Sequence, residues 1–334
     1  DFIQTSDSGI VIVLREWKNS SGVRTNIKLV KLDKNGNHLW DKEYVLSGVE
    51  IINFIHQNET GYIITGQSSS LGVRGDESWI VQVDSRGNLL WNKTYGLSTN
   101  EGSIQLIEKD SNHYFFTGIK RDGFNSNSEE EFSLSQIDKY GNLDWNYIYG
   151  GNGEERIMDL DTTHDGLPIM LGFTETFGSG NFDFFLLIAD DTGGIKKVRT
   201  YGGSQNDFGR SLIRLDDGFL LIGHTNSVGN GGYDVLIIKI DKRANIIWSK
   251  TIGGTSNEYV DFKALNNAIF HKDLVKFLAY SNSFGNNNFD AYLIGVDTFK
   301  FTDCLSNLVS ISIDSPSISI KKSTFNIDSL SPNI

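Results

Sequence analysis

Short apolar runs recur along the whole chain, and their period is that of strands. In one stretch they cover Glu50–His56, Gly61–Gln67, Ser78–Asp84 and Asn88–Tyr95. Within each run apolar and polar residues alternate or run together, and Val, Ile, Phe, Tyr and Trp are enriched, which predicts half-buried or fully buried strands. Turn signals separate them. Thr60-Gly61, Asp165-Gly166 and Asp217-Gly218 fall between first and second strands. Gly36-Asn37, Gly87-Asn88 and Gly141-Asn142 fall between third and fourth. No segment sustains a helical period.

The four-strand pattern repeats. NIKLVKLDKNGNHLWDKEY, SWIVQVDSRGNLLWNKTYG, FSLSQIDKYGNLDWNYIYG and VLIIKIDKRANIIWSKTIG align on an Asp that follows the third run. The anchors are Asp33, Asp84, Asp138, Asp190, Asp241 and Asp297, spaced 51, 54, 52, 51 and 56 residues apart. A lone four-stranded sheet cannot cover both of its faces, whereas stacked copies cover one another. The pattern therefore predicts an all-β, six-bladed β-propeller of four-stranded antiparallel blades over residues 1–313, with an extended tail over 314–334. Seven residues after the anchor stand Trp40, Trp91, Trp145 and Trp248; eleven after it stand Tyr44, Tyr95, Tyr149 and Tyr201. Such columns read as wedges between blades. The sixth repeat has neither the Gly-Asn turn nor the Trp, which leaves its outer strand open.

Composition narrows the partners. The chain has 334 residues with 42 acids against 30 Lys and Arg, a formal net charge of −12 and one cysteine. The acidic balance argues against a nucleic-acid partner, and one cysteine excludes an internal disulfide framework. No apolar run is long enough to span a membrane. The chain opens at Asp1 without Met or an apolar leader, which reads as a processed product or a fragment.

Two columns of acids carry the candidate chemistry. Glu50, Glu101, Glu155, Asp207 and Glu258 each open a first strand. With first strands innermost, these carboxylates would ring a channel mouth and attract a cation or a basic group; the competing reading is a carboxylate that accepts backbone N–H bonds from the crossover turn. Seven residues before the anchors stand Glu77, Glu131, Asp183, Asp234 and Asp290, with Asn26 in the first repeat. They close loops that read SLGVRGDE, TFGSGNFD, SVGNGGYD and SFGNNNFD. A loop-tying role is favoured for them. Calcium is the rival ligand, although it wants 6–8 oxygens and each loop supplies one or two acids. The longer loop at Arg121–Glu131 is the best single place for it.

YGGSQNDFGRSLIRLDDGFLLIGHTNSVGNGGYDVLIIKID (Tyr201–Asp241) resembles the secreted β-propeller repeats of bacterial and archaeal surface proteins. Those combine an aromatic-Gly-Gly turn, an acid, an Asp-Gly hairpin and a Gly-rich loop that ends in Asp. The resemblance covers about residues 1–300. It implies export and a non-catalytic module, structural or binding, on a cell surface or surface filament, with protein or surface glycan as partner. A carbohydrate-active enzyme that uses channel-mouth carboxylates, and a calcium-stabilised adhesion module, are the alternatives.

The remaining signals are weaker. The sequons at Asn19, Asn58 and Asn92 are acceptors if the chain meets a glycosylating route. The six histidines form no HExxH-like pair, no GxSxG elbow is present, and catalytic residues are not assigned. In the tail, Leu308–Lys322 alternates Ser and Ile around Pro316. Leu308–Ile313 is expected to complete the sixth blade; the remainder is open to lying on the propeller, leading into a further domain or, as the sharpest reading, donating a strand to a neighbouring subunit.

Overall fold

The computed structural model describes residues 1–17, 25–44, 50–69, 76–96, 101–121, 130–260, 269–271, 274–284, 289–298, 306–308, 311–314, 319–323 and 326–329. Among them there is no helix, and the chain folds as six antiparallel sheets. The first holds β1 (Phe2–Gln4), β2 (Ile10–Trp17), β3 (Thr25–Leu32) and β4 (His38–Tyr44); the second β5 (Glu50–Gln57), β6 (Gly61–Ser68), β7 (Glu77–Asp84) and β8 (Leu89–Gly96). The third holds β9 (Glu101–Asp110), β10 (His113–Arg121), β11 (Glu130–Asp138) and β12 (Leu143–Gly150). The fourth holds β13 (Glu155–Thr162), β14 (Pro168–Thr174), β15 (Asp183–Ala189) and β16 (Ile195–Gly202). The fifth holds β17 (Asp207–Leu215), β18 (Gly218–Thr225), β19 (Asp234–Asp241) and β20 (Ile246–Ile252). In the sixth, β21 (Glu258–Val260) and β22 (Ile269–His271) share one edge of β23 (Leu274–Ser281), and β24 (Asp290–Asp297) pairs its other edge. Among the described residues no strand pairs the outer edge of β24.

The chain divides into two compact units, residues 1–149 with 320–334, and residues 150–319. In each, neighbouring sheets bury their faces on one another. Because side chains alternate along a strand, Phe219 and Leu221 of β18 pack toward the fourth sheet while Leu220 and Ile222 pack toward the sixth. Strands covered on both faces explain the unbroken apolar runs. In the first unit, Val11 and Leu29 of the first sheet meet Ile64 and Val81 of the second in the same way. First strands of neighbouring sheets touch directly: Asp159 of β13 accepts the Leu212 N–H of β17 at 2.7 Å.

The aligned columns prove to be turn and wedge chemistry. The Oδ1 of Asp84 accepts the N–H groups of Arg86 and Asn88, and its Oδ2 accepts the Asn88 amide, all at 2.8 Å. Asp33, Asp138 and Asp241 repeat this arrangement. Each turn then needs a positive φ, supplied by Gly36, Gly87, Gly141 and Gly193, and by Ala244 at +64°. The Tyr column reaches the next sheet's turn. The Tyr44 hydroxyl donates to Gly87 O at 2.6 Å, Tyr95 to Gly141 O at 2.7 Å, and Tyr201 to Ala244 O at 2.9 Å. Trp91 packs on Gly141 as well.

The tail differs from expectation. Leu308–Ile313 does not complete the sixth sheet. In the second unit, β25 (Ser306–Leu308) pairs β20 and β26 (Ser312–Asp314) pairs β16. In the first unit, β28 (Asn326–Ser329) pairs β8, and β27 (Ser319–Ser323), beginning one residue before that unit, pairs β12. The orphan strands thus serve as fifth strands on sheets of their own chain. A short strand satisfies whichever open edge lies within reach, and the tail takes the outer edges of β8, β12, β16 and β20.

Candidate functional site

The first acid column is buried. Glu50, Glu155, Asp207 and Glu258 have no exposed surface. Three of these carboxylates accept an N–H from the turn that precedes their own strand: Glu155 from Gly151 at 2.7 Å, Asp207 from Gly203 at 2.8 Å, Glu258 from Gly254 at 2.8 Å. Their second contacts go to hydroxyls on or just after the second strand: Thr174 to Glu155 at 2.8 Å, Ser227 to Asp207 at 2.7 Å and Ser281 to Glu258 at 2.6 Å. Glu50 accepts from Thr25 and Ser68. Glu155, Asp207 and Glu258 thus staple their crossover turns, Glu50 ties Thr25 to Ser68, and none of the four is exposed; the Glu101 side chain lies outside the described residues. A carboxylate that receives several donors is satisfied without solvent, which is why burial is tolerated here.

The second column divides. Asp183 accepts the N–H groups of Ser179 and Gly180 at 3.0 Å, and Asp234 accepts that of Asn230 at 2.7 Å, so both tie their loops. Glu77 is buried, Glu131 pairs with Lys120 at 3.1 Å, and Asp290 is exposed. The fold brings the two columns together across a glycine. Asp183 and Asp207 both crowd Gly202, and Asp234 and Glu258 both crowd Gly253. Burial, with Glu258 adding repulsion, pushes the Asp234 carboxyl up to about 6, and burial also raises Asp207. Among the described residues no group of three or more His, Cys, Asp or Glu side chains could hold a metal ion. The calcium loop at Arg121–Glu131 lies largely outside the described residues, as do Asn19 and Cys304. Two sequons are engaged: Asn92 is 4% exposed, and the Asn58 amide donates to Gln82 at 2.9 Å and Tyr114 at 2.7 Å.

A further concavity lies in the second unit. It encloses about 650 Å³ at the end of the sheets where first strands begin and second strands finish. Alternation builds it. The acids Glu155, Asp207 and Glu258 turn into the crossover, so the next residues, Arg156, Phe208 and Tyr259, face the opening. Phe182, Tyr233 and Phe289 come from the loops, each one residue before the second-column acid of its repeat. Phe173 of β14 stands edge-on to Phe208 at 5.0 Å and to Phe182 at 5.6 Å between ring centres.

Two polar side chains form its floor. Arg210 is the extra residue of a β-bulge, where the pairing of β17 with β18 skips between Gly209 and Ser211. Bulges re-aim a side chain. Here the guanidinium is buried at 4% exposure, 5.4 Å from the ring centre of Phe173 and 5.3 Å from that of Phe208. His224 of β18 is also 4% exposed and stands edge-on to Tyr259 at 5.2 Å and to Tyr233 at 5.5 Å. Its Nδ1 has no hydrogen-bond partner among the described residues. Burial first, and the Arg210 charge second, hold the ring well below its usual protonation range, so it is neutral. At the rim Arg156 pairs with Glu154 at 2.7 Å.

A smaller groove, about 440 Å³, lies in the first unit at the opposite end of the strands. Asn58, Gln82 and Tyr114 form its hydrogen-bonded floor, and Trp91 and the exposed Tyr140 its wall. Neither concavity was legible from the acid columns. The signal that could have found the larger one is the aromatic before the acid in NFD, GYD and NFD, at Phe182, Tyr233 and Phe289, where the second repeat carries Asp76.

No family model matches the chain. No curated protein matches it. Among solved structures, that of a DUF4221-family protein from Bacteroides vulgatus is similar over 96% of this chain and 99% of its own, with 10% identity and a TM-score of 0.38. A likeness this loose carries no argument about function.

Proposed function

We propose that the six sheets are blades of one β-propeller and that the chain is a non-enzymatic binding module of an extracellular or cell-surface protein, with the aromatic cavity of its second unit as the binding site. One observation supports this reading above the others: a cavity of about 650 Å³, within the size range of small-ligand sites, walled by aromatic rings and floored by two buried polar side chains. The cavity suits a compact molecule or the terminal group of a larger one. Against a glycosidase, the column acids Glu155, Asp207 and Glu258 are committed to the crossover turns, each with its carboxylate already bonded.

A small-molecule thermal-shift screen on the intact chain tests the reading. Stabilising compounds are expected to lose their effect in Phe208→Ser and Tyr233→Ala, and to be recovered unchanged after incubation. Turnover of a saccharide that is lost in Glu155→Gln would overturn it in favour of the enzyme.

A further inference from the structure

Resting on that binding reading, we propose that the cavity takes a small monocarboxylate with an apolar, ring-bearing body, its carboxylate seated against Arg210 and His224 and its body among Phe173, Phe182, Phe208 and Tyr259. Three observations converge on this chemistry. The first is the sign of the floor. The bulge in β17 draws the Arg210 guanidinium to 4% exposure beneath two rings. An arginine fork matches a carboxylate in geometry as well as charge, and the match strengthens away from water.

The second is His224, buried, with an Nδ1 that has no partner among the described residues. A neutral imidazole with its proton on Nδ1 supplies one further donor beside the guanidinium. One cation and one neutral donor suit a monoanion; a phosphate dianion calls for more positive charge than this floor holds. Protonation of the ring is opposed by burial and by Arg210, so His224 adds no charge to the floor.

The third is the wall. Phe173, Phe182, Phe208 and Val260 offer no side-chain hydrogen bonds, and the three phenyl rings meet at 5.0–5.6 Å in edge-on and tilted contacts. Glu154, Arg156, Tyr233, Tyr259 and Tyr280 also line the opening, but against the four apolar faces a sugar would bury hydroxyls without partners. An aryl or branched aliphatic body gains on the same surface.

The test is titration calorimetry of the full chain with phenylbutyrate, phenylbutanol, phenylbutylamine and glucuronate, repeated with Arg210→Met and Tyr233→Ala. Phenylbutyrate is expected to bind roughly 10- to 100-fold more tightly than phenylbutanol, the range that a hydrogen bond to a charged group contributes. Arg210→Met should bring that ratio to about one while phenylbutanol still binds, and Tyr233→Ala should weaken both. Equal affinity of the wild-type protein for the acid, alcohol and amine would overturn the carboxylate assignment and leave a general apolar site. Binding of glucuronate without the aryl compounds would overturn the ligand class but keep the binding module. If no probe binds at millimolar concentration, the module reading itself fails at this cavity. The wild-type ratios decide these outcomes even if Arg210→Met does not fold.

Discussion

Replacing Gly141 by Ala isolates the contact that joins one sheet to the next. Gly141 has φ of +74° in the turn after β11, and a Cβ there would lie 2.9 Å from Cζ3 of Trp91, 3.0 Å from the Tyr95 hydroxyl and 3.1 Å from Cδ of Lys93. The left-handed backbone costs an L-residue roughly 1–2 kcal/mol. Forcing a methyl into a filled contact adds about 1–3 kcal/mol, and the stiffer unfolded chain returns about 0.4–1 kcal/mol. The net expectation is a loss of about 2–4 kcal/mol. Gly36 is the control. It occupies the same turn position with φ of +84°, but a Cβ there meets nothing within 4 Å. Gly36→Ala therefore carries the backbone cost alone, about 1 kcal/mol or less after the unfolded-state offset. Urea denaturation followed by tryptophan fluorescence suits the comparison, because five of the six tryptophans (Trp17, Trp40, Trp79, Trp91 and Trp145) belong to the first unit. Gly141→Ala should lower the midpoint well below that of Gly36→Ala, and Trp91→Leu combined with Gly141→Ala should recover part of the difference. Equal midpoints for the two single variants would refute the wedge.

Other outcomes follow from the same geometry. Tyr95→Phe removes the donor to the Gly141 carbonyl and should cost about 1–3 kcal/mol, read from the same urea midpoint. For Asp234 the folded carboxyl holds its proton up to about 6 whereas the unfolded one releases it near 3.8, so the folded state binds more protons across that window and stability falls as pH rises through it. Asp234→Asn should therefore raise the melting temperature at pH ~8 and lose that advantage near pH ~4, and a penalty at both would contradict the assignment. Deleting residues 305–334 uncovers the outer edges of β8, β12, β16 and β20, and light scattering should show association of the shortened chain while the full chain stays unassociated at the same concentration.

Much of the fold was legible because backbone turns demand particular residues. Asp84, Gly87 and Asn88 are required by one turn, and Tyr95 by its neighbour, so a 50-residue repetition of those types marks each sheet. The acid columns were equally visible, but their purpose was not. Whether Glu155 faces a channel or its own crossover turn depends on the pleat and on where Gly151 approaches, and neither leaves a mark in residue type. The cavity was hidden for a related reason. Arg210 reaches the floor only because a bulge shifts the alternation of β17 by one residue, and His224 sits in a strand whose other members are plain core. The tail showed its strand character in the Ser and Ile alternation at 308–322. Its partners are set by chain reach and by open edges, which a local pattern does not encode.

Crystals of the full chain soaked with a library of small apolar acids, alcohols and sugars would test the central claim most directly. The account predicts that bound molecules collect in the cavity between Phe182, Phe208 and Tyr259, with acids directed at Arg210. A cavity left empty while molecules gather in the groove beside Trp91 and Tyr140 would contradict it.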